Sequence, residues 1–103
     1  MTMVQDEDLR LLRDSVGTLL DRAGGLGRAR RVRDDDTPWD AGIWQELAAA
    51  GVLGVAAPEE AGGLGMGLTA AGVVAEEIGR VTAPEPVVPT IGLISNAVLM
   101  EPH

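Results

Sequence analysis

Glu76 and Glu77 are neighbouring carboxylates in an otherwise apolar stretch. Paired carboxylates are what general acid–base chemistry needs. Successive residues of a helix, however, point about 100° apart, so these two cannot flank one reacting bond. Glu76 also lies four residues before Arg80, the spacing of an ion pair along a helix, and the structural reading is the stronger. A second candidate is Gly65-Met66-Gly67-Leu68-Thr69-Ala70, which satisfies the glycine fingerprint G-x-G-x-x-A of dinucleotide sites. Glu59 and Glu60 just before it would repel a pyrophosphate, and Pro89 is a poor residue for the central parallel strand that should follow. Arg28, Arg30, Arg31 and Arg33 could meet a phosphate, but Asp34-Asp35-Asp36 follows directly and cancels their field. The same aspartates are neighbours on one turn and cannot all converge on a cation. His103 is the only histidine and is the last residue. No Ser/His/Asp set, metal spacing or thiol nucleophile is present, so no catalytic, metal or cofactor-binding residue is assigned.

The elements that carry these residues read as helices. Asp6, Glu7 and Asp8 favour a helix start, and Leu9, Leu12, Val16, Leu19 and Leu20 form one apolar stripe, so a helix is expected at about 8–22. Gly24-Gly25 stops it, and 24–36 reads as a linker. Asp40 caps a second helix at about 41–50, with Ile43, Trp44, Leu47 and Ala48 on one face and Gly51 closing it. Val52, Leu53 and Val55 are expected to cross the core as an extended tail, and 58–67 as a loop. A third helix is expected at about 68–81, with Ala71, Val74, Ala75 and Ile78 inward. The fourth, at about 87–99, tolerates Pro89 in its first turn and repeats Val88, Ile91, Ile94 or Ser95, and Val98. Met1–Gln5 reads as a frayed end.

Composition narrows the function classes. A chain of 103 residues is one domain at most. It has two Trp and no Phe or Tyr, so its core is built from small aliphatic side chains and is thin. The net charge of −8, without a single lysine, argues against nucleic acid and anionic membranes. No apolar run reaches the roughly 20 residues of a membrane span, and no signal peptide is evident. The expected location is the cytoplasm.

Four ordered segments carry a resemblance: Trp44-x-x-Leu47, Ala50-Gly51-x-Leu53-Gly54, Pro58-Glu59-Glu60-x-Gly62-Gly63-x-Gly65 and Glu76-Glu77-x-Gly79-Arg80. Together they resemble the N-terminal helical domain of the acyl-CoA dehydrogenase family over about Asp8 to Leu99. The resemblance implies an all-α fold, an incomplete orthogonal bundle of about four helices with a glycine-rich loop between the second and third. It implies FAD-dependent oxidation of acyl-CoA to 2,3-enoyl-CoA in a parent enzyme of lipid metabolism. The β-domain and C-terminal helical domain that hold most of the flavin and the catalytic glutamate would lie beyond His103. The isolated chain is therefore expected to be inactive, to bind no FAD tightly, and to sit in a homo- or hetero-oligomer. By position, the resemblance points to Val87, Thr90, Ile91 and Ile94 at the far end of the acyl-chain pocket. Two alternatives stand beside it: a helical interaction module docking on a partner subunit, and a small dinucleotide-binding unit.

Overall fold

The acids Asp6, Glu7 and Asp8 occupy the first turn of helix α1, Asp6–Arg22, where they oppose the positive end of the helix dipole. In this computed structural model, which describes residues 6–36 and 39–100, α1 turns Val16, Gly17, Leu19 and Leu20 inward. It ends at Gly24, whose φ of 123° suits glycine. The expectations for Met1–Gln5 and His103, and for the side chains of Ser95 and Val98, lie outside what is described.

The chain does not then run on as a linker. Residues Gly25–Val32 form a short helix, α2, inside the 24–36 stretch read as irregular, so the described residues form five α-helices rather than about four. Two glycines and three arginines disguise it in the sequence. Its anchor is Arg28, which is buried against Glu85, 57 residues away. Local propensity cannot report a contact of that range.

Helix α3, Ala41–Ala49, is capped by Asp40, whose side chain accepts from the Ile43 N–H at 3.0 Å. Gly51, with φ of 80°, closes it in the left-handed conformation. Leu47 is fully buried, and Trp44 is half-buried with its ring edge against Trp39 (centroids 6.2 Å apart, 61° between planes).

The apolar run after α3 is not an extended tail. Val52–Gly54 is a 3-10 turn that buries Val52, and Val55 is buried just after it. A second 3-10 turn, Glu59–Ala61, follows Pro58. The segment then doubles back: the N–H groups of Leu64, Gly65 and Met66 donate to the carbonyls of Gly54, Ala57 and Val55. Gly63 must be glycine here, because a Cβ would collide with the Ala57 carbonyl. The glycines thus fold the segment onto itself. No strand occurs among the described residues, so the βα unit that a dinucleotide fingerprint requires has no β-strand to start from.

Helix α4, Gly67–Arg80, buries Ala70, Val73, Val74, Glu77 and Ile78. Its inward face is therefore rotated from the expected one: Val74 and Ile78 are shared, but Ala71 and Ala75 are only half-buried. The helix closes with the Thr82 N–H on Gly79 O and the Ala83 N–H on Ile78 O, the paired bonds of a Schellman turn. Thr82 fills the left-handed position (φ 47°) that normally takes glycine. Helix α5, Val87–Met100, follows Pro86. α4 packs on α1 and α5, and the 3-10 turn at Val52–Gly54 packs on α3 and α5. The core joins Val16 and Leu20 of α1, Leu47 of α3, Val52 and Val55, Val74 of α4, and Val87 and Ile91 of α5.

Candidate functional site

The α5 residues expected to face an acyl chain do not share one environment. Val87 is fully buried and Ile91 nearly so, both inside the core of this domain. Thr90 is half-buried, and its hydroxyl donates at 2.6 Å to the carbonyl of Pro86, the residue just before its own helix. Ile94 is half-buried. On the outer side, Val88 and Leu93 are exposed, Leu93 at 71%, and Gly92 leaves open space beside its backbone. α5 therefore offers a mostly apolar outer strip, with Ile94 at its margin.

The carboxylate pair serves structure. Glu76 and Glu77 diverge, as their spacing requires. Glu76 is exposed and accepts from Arg13 of α1 at 2.8 Å. Glu77 is buried at the α1–α4 contact, between Arg13 at 3.5 Å and Arg80 at 3.2 Å. Arg80 also reaches Asp21 at 3.2 Å. The expected Glu76–Arg80 pair is not the one formed, because α1 brings Arg13 to Glu76 and Asp21 to Arg80. Gly17 makes the approach possible: a Cβ there would sit 2.7 Å from Glu77 Oε1. The hydrogen bond to Glu76 is the main cause that raises the Arg13 pKa, and the hydrogen bond to Asp21, then that to Glu77, raises the pKa of Arg80. A raised arginine pKa means stabilisation that is full below the ordinary arginine range and lost only as pH climbs through the elevated value. Both arginines therefore keep their charge through neutrality.

Sequence reasoning missed the buried polar centre of the fold. Arg28 donates through both terminal nitrogens to Glu85, whose carboxylate also accepts from the Asp40 N–H at 2.9 Å. One carboxylate thus ties α2, the start of α3 and the turn before α5. The signal available was a lone acid between Pro84 and Pro86 in an apolar stretch. Of the four arginines read as a solvated loop, Arg28 is the exception, while Arg30, Arg31 and Arg33 are exposed.

The described residues enclose hollows of two kinds. A polar one of about 450 Å³ follows the α1–α4 contact at Arg13, Glu77 and Arg80. The other, of about 460 Å³, lies between α1 and the 50–66 segment, with Leu11, Leu12, Val16, Leu64 and Met66 in its walls and Asp8 and Glu59 among its lining. None of Val87, Thr90, Ile91 and Ile94 lines either. No cluster of potential metal ligands occurs among the described residues, and none of their helices is long and apolar enough to cross a membrane.

Residues 6–101 match the family model described as "Acyl-CoA dehydrogenase, N-terminal domain". The chain belongs to the acyl-CoA dehydrogenase family. It is 32% identical over 89 residues to acyl-CoA dehydrogenase IpdE2 of Mycobacterium tuberculosis, an alignment covering 85% of this chain and 28% of that one. It is 36% identical over 76 residues to (2S)-methylsuccinyl-CoA dehydrogenase of Cereibacter sphaeroides, covering 73% of this chain and 14% of that one. Among solved structures, a variant of the Tcur3481-Tcur3483 steroid ACAD superimposes with a TM-score of 0.74 at 38% identity, over 87% of this chain and 26% of that one. The chain thus spans about a quarter of the length of IpdE2 and of the solved relative.

Proposed function

We propose that this chain acts as the N-terminal helical domain of an FAD-dependent acyl-CoA dehydrogenase, which oxidises an acyl-CoA to the 2,3-enoyl-CoA. The observation that carries this reading is the superposition on the steroid ACAD at 38% identity across 87% of the chain. The domain's own part is to shape the acyl end of the pocket through α5, with Thr90 and Ile94 nearest the surface and Val87 and Ile91 holding the helix from behind. The steroid designation of that relative, together with the apolar strip of α5, supports a bulky, non-polar acyl group as substrate.

The flavin belongs to other domains in this reading. The larger hollow presents Asp8 and Glu59 and no cation to a pyrophosphate, while Arg13 and Arg80 at the other are already engaged by carboxylates. These residues do not fit the dinucleotide, and no catalytic step is assigned to this chain. Its contribution is packing and the exclusion of water from an acyl group.

The test is to co-express the chain with a polypeptide supplying the β-domain and C-terminal helical domain of the family, then follow acyl-CoA-dependent bleaching of the flavin. Bleaching that requires both pieces is expected. An Ile94→Trp variant should raise KM for bulky acyl-CoA without changing flavin content. Failure of the chain to co-purify or to add activity would overturn the proposal. The paired designation of the solved relative favours a second reading, a non-catalytic module docked on a partner subunit. In that case the complex forms, but Ile94→Trp leaves KM unchanged.

A further inference from the structure

The larger hollow is unconnected with α5 and has a chemistry of its own. Its walls are aliphatic: Leu11, Leu12 and Val16 on one side, Leu64 and Met66 on the other. Glu59 lines it and has no arginine within ion-pair distance among the described residues, and Asp8 lines it too. An apolar recess whose only charged lining is acidic is suited to an apolar side chain flanked by cations.

The same molecule displays that arrangement elsewhere. Leu26 of α2 is 60% exposed. Arg30 stands one turn further along the same face, and Arg31 is beside it. Both arginines are exposed, and neither has a carboxylate within ion-pair distance among the described residues. Arg33 is turned to Asp34 at 3.8 Å and is not counted. A recess of about 460 Å³ has room for a leucine side chain and for the methylene stems of the arginines beside it, whose guanidinium groups would stay at the acidic edge.

We propose that the recess between α1 and the 50–66 segment receives the α2 face of a second copy of this chain, with Leu26 in the apolar floor and Arg30 and Arg31 against Glu59. The two surfaces are different patches of one molecule, so the contact is head-to-tail: each copy uses its recess for one neighbour and its α2 for another. Electrostatic pairing at the edge makes the association weaken as salt rises.

The directional contact gives a sharp test. The wild-type chain should gain mass with concentration in sedimentation or light scattering, and lose that gain in high salt. Leu26→Asp disables the inserting face, and Glu59→Arg disables the recess; each variant alone should be monomeric, with an unchanged thermal melt to certify folding. Mixed in equal amounts they should form a one-to-one dimer and nothing larger, because one intact face and one intact recess survive. Leu93→Glu, on the exposed strip of α5, should leave self-association as it is. A wild-type chain that is monomeric throughout, a mixture that stays monomeric, or association lost in Leu93→Glu and kept in Leu26→Asp would each overturn the proposal.

Discussion

Two regions of this domain use arginine and glutamate in opposite ways. At the α1–α4 contact, Arg13, Glu76, Glu77, Arg80 and Asp21 form a chain of pairs open to water, with only Glu77 buried. At the junction of α2, α3 and α5, the Arg28 and Glu85 side chains are 7% and 0% exposed, and the carboxylate's third bond comes from a backbone amide. Water can replace a partner lost by the exposed members of the first region. It cannot reach the second, so each group there depends on the other. The same chemistry is thus adjustable in one place and obligatory in the other.

Breaking the buried pair should give the largest effect. Glu85→Ala strands the Arg28 charge and the Asp40 amide, and should cost about 3–5 kcal/mol in denaturant unfolding, enough to unfold a small domain. Arg28→Met with Glu85→Leu should recover most of that loss, and failure to recover would mean that the pair orders α2 rather than merely satisfying itself. Trp44→Ala, beside the same junction, should cost about 2 kcal/mol, below the roughly 3–5 kcal/mol of a fully buried aromatic, because Trp44 is half-buried. Thr82→Gly relieves a β-branched residue at φ 47° and should raise stability by roughly 1 kcal/mol. Gly17→Ala sharpens the other side of the comparison. Its Cβ meets a movable carboxylate oxygen of Glu77, while helix propensity improves by about 1 kcal/mol, so the two effects should nearly cancel in the melting temperature. Glu76→Gln, with a solvated partner, should shift the melting temperature within error.

Helix boundaries were readable where a side chain does its work within a few residues. Asp40 and Gly51 bracket α3 because capping is local, and the acids of α1 mark its start for the same reason. α2 was not readable, since glycine and arginine argue for a loop and the burial of Arg28 is settled by a residue in another turn. The inward face of α4 was half readable: apolar spacing marks Val74 and Ile78, but nothing local makes Glu77 a buried residue while Glu76 stays in water. On α5 the apolar repeat ran through Val88 and Ile91, yet Val88 is exposed and it is Val87 that is buried with Ile91, because the 82–86 turn delivers the helix start to the core.

The amino-acid sequence by itself determined an all-helical class, the start and stop of most helices, and an ordered set of short segments that mark the family. These follow from spacing and capping, which act over one or two turns. Only the tertiary structure decided which arginine is buried, which of two adjacent glutamates is withdrawn from water, and that a recess edged with acid lies apart from a helix face carrying leucine and arginine. Those outcomes depend on desolvation and on charges brought together across the fold, and no local pattern encodes the distance between them.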